Sequence, residues 1–181
     1  LEDKGIMDDT AIIHSSDHGY FLGEFRCFDK RLMHEPSIRI PMMVRYPKLI
    51  KPGTVKDQMV LDLDIAPTLL EIAGVTPRKE MQGKSLIPLA QNAAGMWRKE
   101  WFYDYYEYPG YEDVRPHRGI RTETHKLMHY YTVDEWEMYD LSLDPEEANN
   151  LYGKPEYAAT EKHLKAELER LAAEIPQRHP S

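Results

Sequence analysis

Apolar residues in the first hundred positions occur in short continuous runs. Residues 10–16 (TAIIHSS) and 40–47 (IPMMVRYP) have the length and composition of buried β-strands, and the first is typical of a parallel strand. Residues 57–64 (DQMVLDLD) predict a third extended segment. The next stretch, DIAPTLLEIAGV, predicts a helix that Asp64 caps at its N-terminus and Gly74 ends.

Beyond residue 100 the pattern changes to an alternation of apolar and polar positions. The segments WFYDYYEY, HRGIRTET with HKLMHYY, and EWEMYDL are typical of antiparallel strands joined by turns. Each is too short to be stable alone, so we expect them to pair into one sheet. Residues 155–174 predict an amphipathic helix that covers the sheet with Leu164, Leu168 and Leu171.

This change of pattern predicts an α/β protein of two domains, residues 1–100 and residues 101–181. The net charge of −8 argues against a nucleic-acid partner, which would need a basic face. No apolar run approaches the roughly 18 residues of a membrane-spanning helix, so we expect no membrane span. The single cysteine, Cys27, excludes an internal disulfide framework and a cysteine-rich zinc site.

Polar chemistry is concentrated where the first apolar run ends. Asp17 and His18 follow it directly, at the position where strands of open α/β sheets carry their sites. Gly19 allows the chain to turn, so that both side chains can reach one metal ion. The residues alone leave a second interpretation open, in which Asp17 caps a helix begun by YFLGE. Lys30, next to an aspartate, is by itself compatible with a solvated surface pair.

A longer pattern resembles the sulfatases of the alkaline-phosphatase-like superfamily. The blocks SDHGxxLGE, DKRxMxExSxRxP leading into MMVRYP, DIAPTLLEIAGV, MQGKSL and YDLSLDPEEANNL occur in the order found in those enzymes, from about Thr10 to Gly153. The chain is especially similar to sulfatases of sulfated sugars, such as N-acetylglucosamine-6-sulfatases. The resemblance implies the C-terminal part of an alkaline-phosphatase-like sheet with helices, followed by a smaller antiparallel sheet packed with a C-terminal helix.

The same resemblance implies roles for three residues. Asp17 and His18 correspond to ligands of a Ca²⁺ ion, although calcium prefers oxygen ligands and another divalent metal stays open. Lys30 corresponds to the catalytic lysine that contacts the sulfate and the leaving oxygen. A divalent cation and an ammonium group both stabilise charge that builds up when the S–O bond breaks.

Three further residues are candidates for binding the substrate, a sulfated sugar or another sulfate ester. His117 and Arg118 begin the block that the resemblance places beside the substrate pocket, where imidazole can bind a sugar hydroxyl and guanidinium an anion. A plain hairpin surface is the alternative for both. His34 stands either at the edge of the site or in the packing below it.

Part of the family's site has no counterpart in this chain. The family's nucleophile is a formylglycine made within a Cys-x-Pro-Ser-Arg segment, whereas Cys27 is followed by FDKR. Two further acidic calcium ligands of the family are also absent. We therefore expect a missing N-terminal part of the same protein to supply them, and no turnover from this chain alone. The resemblance also suggests a periplasmic or secreted protein.

Two other functions stay open at this point. A phosphoesterase or phosphonate hydrolase of the same superfamily would share the Asp17–His18 pair and the fold. A truncated, non-catalytic domain could instead bind a sugar or a protein partner.

The remaining polar and aromatic residues receive structural interpretations. The aromatic run Trp101–Tyr111 could stack on sugar rings, but packing between sheet and helix is the preferred interpretation. Glu35 and Arg39 are expected to anchor the loop after Lys30, and His14 to be a core histidine. The other histidines are interpreted as structural or exposed: His125, His129, His163 and His179.

Overall fold

The computed structural model describes residues 1–110 and 113–175, and within them it contains eight strands and four α-helices. Tyr111 and His179, named above, lie outside these residues. The strands are β1 (Ile12–Ser15), β2 (Phe21–Leu22), β3 (Phe28–Asp29), β4 (Met42–Arg45), β5 (Glu100–Tyr105), β6 (His117–Thr122), β7 (His125–Tyr130) and β8 (Glu135–Asp140). The helices are α1 (Glu35–Ile38), α2 (Ile65–Ile72), α3 (Leu86–Ala90) and α4 (Ala158–Glu174).

The chain divides into two compact units that do not follow its order. The first unit is formed by Leu1–His18 and Ile40–Arg98. The second is formed by Gly19–Arg39 together with the chain from Lys99 onward. The segment that carries Lys30 therefore packs with the residues after position 98. The division at residue 100 stays a prediction about the domains of the whole protein.

In the first unit, β1 pairs antiparallel with β4, so the expectation of a parallel strand is wrong for this pairing. A continuous apolar run indicates a buried strand but does not reveal the direction of its partner. His14 lies opposite Met43, and both side chains are exposed on the same face of this two-stranded sheet. The prediction of a core histidine at position 14 is therefore also wrong.

Residues 57–64 do not form the expected strand, and several of their backbone groups bond to side chains instead. The indole of Trp97 donates to the carbonyl of Met59 at 2.7 Å, and the segment ends in a 3-10 turn at Asp62–Asp64. Asp64 does not cap α2 as predicted. Its buried carboxylate instead accepts bonds from the backbone N–H groups of Leu61 and Lys84 and from Arg98.

Gly74 does end α2, as predicted. Its φ of 69° is left-handed, a conformation that glycine adopts without steric cost, and its N–H bonds back to the carbonyl of Glu71. The MQGKSL block then returns to this helix, where the N–H of Leu86 donates to the hydroxyl of Thr68 at 2.9 Å. The DIAPTLLEIAGV and MQGKSL blocks are therefore joined to each other in the first unit.

The second unit confirms the predicted antiparallel sheet and its covering helix. The strands lie in the order β5-β6-β7-β8. Leu164 and Leu168 of α4 are buried, and Leu171 packs at the edge of the cluster. These leucines contact one face of the sheet through Ile120, Leu127 and Met138. The helix spacing of the apolar residues therefore identified the packed face correctly.

The segment before Lys30 is a hairpin and not a helix. Phe21 of β2 pairs with Asp29 of β3, and its ring is fully buried. The alternative in which Asp17 caps a helix begun by YFLGE is therefore wrong. The hairpin ends at Asp29, directly before Lys30, and α1 begins at Glu35.

Candidate active site

Asp17 and His18 follow β1 and converge on each other. Nε2 of His18 lies 3.3 Å from Oδ2 of Asp17, whose side chain is 84% exposed. The hydroxyl of Ser16 donates to the carbonyl of His18 at 2.8 Å and stabilises the turn. A bond from its own backbone N–H is the main reason that the pKa of Asp17 is lowered, and nearby His18 adds to the effect. The pair therefore offers an ionised oxygen and an imidazole nitrogen at one point.

This geometry fits a divalent cation. Two donors at roughly 2.4 Å from a Ca²⁺ ion and at right angles to each other are about 3.4 Å apart, close to the separation observed here. Among residues 1–110 and 113–175, no group of three or more His, Cys, Asp or Glu side chains is arranged to hold a metal ion. Asp17 and His18 can therefore supply only part of a coordination shell.

Gly19 follows the pair and allows its backbone to lie close to the backbone of Pro36 and Ser37. Its N–H donates to the carbonyl of Ser37 at 2.7 Å. A β-carbon at this position would collide with the carbonyl oxygen of Pro36. The glycine is thus required here by lack of space for a side chain.

Lys30 lies between two residues with left-handed backbone. Asp29 has φ 79° and Arg31 has φ 91°. The ammonium of Lys30 lies 3.8 Å from the Asp29 carboxylate, which also pairs with Arg31 at 3.0 Å. Lys30 keeps about a third of its side chain exposed. An ammonium whose contact with Asp29 is long and whose side chain is partly accessible is suited to contact an anion.

His34 is buried, and its partner is a glutamate that the sequence interpretation missed. Nε2 of His34 lies 3.2 Å from Oε2 of Glu137, and the Tyr139 hydroxyl donates to the same carboxylate at 2.8 Å. Burial alone would raise the pKa of Glu137, but the bonds from His34 and Tyr139 outweigh it and lower the pKa. The alternation of EWEMYDL puts Glu137 and Tyr139 on one face, so this pair could have been found from sequence.

His117 is fully buried and not on a hairpin surface. Its ring lies among Tyr103, Tyr105 and Tyr130, with centroids 5.0–5.6 Å away. Nδ1 lies 2.9 Å from the carbonyl of Arg115, and Nε2 is buried without a hydrogen-bond partner among the described residues. Burial lowers the pKa of His117.

Arg118 lies on the other face of β6, because adjacent side chains of a strand alternate. Its guanidinium lies 3.4 Å from the Glu169 carboxylate of α4 and over the ring of Tyr131. The structure therefore separates Arg118 from His117. It links His117 instead to the Lys30 loop, since the hydroxyl of Tyr103 donates to the carbonyl of Arg31 at 2.7 Å.

Comparison with known proteins identifies the family of the chain. Residues 23–174 match the model of the family described as N-sulphoglucosamine sulphohydrolase, C-terminal. The chain belongs to the sulfatase family. It is 45% identical over 184 residues to an N-acetylglucosamine-6-O-sulfatase of Bacteroides thetaiotaomicron, an alignment that covers 99% of this chain and 33% of that relative.

Solved structures place the sulfatase chain in the alkaline-phosphatase-like superfamily. A protein in complex with its substrate D-glucosamine-2-N,6-O-disulfate superposes with a TM-score of 0.91 at 46% identity, over 96% of this chain and 36% of that one. A phosphonate monoester hydrolase of Agrobacterium radiobacter gives a TM-score of 0.81 at 27% identity, over 96% and 37%. These findings confirm the fold class expected from the sequence blocks.

The sulfatase chain spans about a third of the length of the relatives it matches. No helix within residues 1–110 and 113–175 is both long enough and apolar enough to cross a membrane.

Proposed function

We propose that this chain is the C-terminal portion of a sulfatase that hydrolyses sulfate esters of carbohydrates. The observation that carries the proposal is the 45% identity to an N-acetylglucosamine-6-O-sulfatase along 99% of the chain. That alignment includes the loops of Asp17, His18 and Lys30.

Asp17 and His18 would hold a divalent cation, with Ca²⁺ as the first choice. Such an ion, when bound, would stabilise negative charge on the sulfate oxygens. The convergence of the two donors at 3.3 Å supports this assignment. The remaining ligands, and the formylglycine nucleophile of the family, would come from the part of the protein that precedes this chain.

Lys30 would act on the sulfate and the leaving group. Cleavage of the S–O bond places negative charge on the sugar oxygen, and a fixed ammonium stabilises this charge more in the transition state than in the bound ester. The weak 3.8 Å pair with Asp29 supports this role, because it leaves the ammonium available to an anion.

Recognition of the sugar would involve the face of the second unit that carries His34 and His117. The unpartnered Nε2 of His117 supports this proposal, since a buried imidazole nitrogen favours a hydrogen-bond partner. Arg118, paired with Glu169 beside α4, is better suited to packing than to substrate binding.

A phosphonate or phosphate ester hydrolase is the second candidate, because one structural neighbour is a phosphonate monoester hydrolase. The deciding experiment measures kcat/KM of the complete protein on N-acetylglucosamine-6-sulfate and on phosphonate and phosphate esters of matched alcohols. A preference of at least about a hundredfold for the sulfate ester is expected. A preference for a phosphonate or phosphate ester would overturn the sulfatase proposal, and no turnover of any of them would favour a binding domain.

A further inference from the structure

The loop of Lys30 has a backbone that it would not adopt unaided. Asp29 and Arg31 flank the lysine with φ values of 79° and 91°, and neither is glycine. Side chains with a β-carbon disfavour this left-handed region, so it persists only where the surroundings hold it. The direction of Lys30 therefore depends on what fixes its two neighbours.

Two hydroxyl groups from outside the loop hold Arg31. The backbone N–H of Arg31 donates to the hydroxyl of Ser37 at 3.1 Å, and its carbonyl accepts from the hydroxyl of Tyr103 at 2.7 Å. Ser37 lies on α1 and is 4% exposed, whereas Tyr103 lies on β5. Both polar backbone atoms of Arg31 are thus bound by side chains of two different elements.

The ring of Tyr103 is fixed independently of the loop. It stacks on His117 with centroids 5.4 Å apart and packs edge-on against Trp101 at 6.2 Å. Burial raises the pKa of Tyr103, so the hydroxyl keeps its proton throughout the neutral range. The phenol therefore acts as a rigid donor directed at the Lys30 loop.

We propose that Tyr103 and Ser37 are positioning residues for Lys30: their hydroxyls clamp the backbone of Arg31 and set the left-handed turn that presents the ammonium to the sulfate. This inference rests on the proposed function, because the position of Lys30 affects turnover only if Lys30 acts on a sulfate ester. It adds two residues that act on Lys30 through the backbone of Arg31.

The test uses Tyr103→Phe in the complete enzyme, which removes the hydroxyl and keeps the stacking ring. A displaced catalytic group costs orders of magnitude in rate, so we expect kcat on a sulfated sugar to fall about tenfold or more while KM changes less than about twofold. The matched control is Tyr152→Phe, which removes a hydroxyl bonded to Lys165 at 2.7 Å in the same unit. The control should keep its turnover. Ser37→Ala provides a second, independent variant if Tyr103→Phe does not fold.

A double-mutant cycle separates positioning from a general structural effect. In a Lys30→Ala background, Tyr103→Phe should lower kcat by less than about twofold, because the group that it positions is gone. An unchanged kcat in the single variants, or the same fold-loss with and without Lys30, would overturn the inference. If Lys30→Ala alone kept full turnover, the proposed role of Lys30 would fail instead, which is a separate outcome.

Discussion

The imidazole of His117 lies almost parallel to the phenol ring of Tyr103, with ring centroids 5.4 Å apart and planes inclined by 29°. Tyr105 and Tyr130 also pack against the imidazole, with ring centroids 5.6 and 5.0 Å away. His117 is fully buried, and burial is the main cause of its lowered pKa. The histidine therefore binds a proton less readily in the folded protein than in the unfolded chain.

The stability of the protein should consequently fall on acidification. Below an unfolded-state pKa near 6.5, the unfolded chain binds a proton more readily than folded His117 does, so stability present at higher pH is lost as the pH falls towards 5. His117→Gln should flatten the slope of unfolding free energy against pH by up to about 1.4 kcal/mol per pH unit. Thermal or urea unfolding between pH 5 and 8 measures this, and the exposed His163→Gln is the control. An unaltered slope in His117→Gln would contradict the account.

His117 should also discriminate between substrates. We expect His117→Ala in the complete enzyme to weaken kcat/KM on a sulfated sugar by about tenfold or more, the cost of losing a hydrogen bond to substrate, while largely sparing a small aryl sulfate. Steady-state kinetics on the two substrates measure the difference. Equal losses on both would place His117 in the chemistry, and no loss on either would leave it a packing residue.

Breaking the buried ion cluster around Lys126 should strongly destabilise the second unit. The ammonium of Lys126 is fully buried, 2.5 Å from Glu147 and 3.0 Å from Glu35. Lys126→Met would leave Glu147 buried without its cation, at a cost of about 3–5 kcal/mol of unfolding free energy. Urea unfolding measures it, with the half-buried Lys165→Met as the control, expected to cost about 1 kcal/mol or less. Adding Glu147→Gln to Lys126→Met should recover part of the loss, and no recovery would contradict the charge argument.

Gly19 offers a test of close backbone approach. In Gly19→Ala the new methyl group would meet the carbonyl of Pro36, so we expect a loss of about 1–3 kcal/mol in unfolding free energy. Gly95→Ala is the matched control, because nothing lies within 4 Å of a β-carbon there. Equal stability of the two variants in urea unfolding would show that the Gly19 contact is relieved at no cost.

Local patterns predicted the elements that sequence periodicity specifies. The spacing of Leu164, Leu168 and Leu171 gave α4 and its buried face, and alternation gave the strands from β5 to β8. Gly74 marked the end of α2 because a left-handed residue is needed there.

The failures occurred where distant residues decide the outcome. Asp64 is a typical helix cap by sequence. Its carboxylate is buried instead, where it accepts hydrogen bonds from Arg98 and from two backbone N–H groups. Of the proposed site, the motifs supplied Asp17, His18 and Lys30. Tyr103 could not be found in this way, because its contact with Arg31 spans 72 positions and depends on how β5 packs.

The central claim is that Lys30 stabilises charge during cleavage of a sulfate ester. The most direct measurement is sulfate release from N-acetylglucosamine-6-sulfate by the complete enzyme and its Lys30→Ala variant, with thermal unfolding of both as a check on folding. The account predicts that kcat falls by about two to three orders of magnitude with an unchanged melting temperature. Near-wild-type sulfate release by a folded Lys30→Ala variant would contradict it.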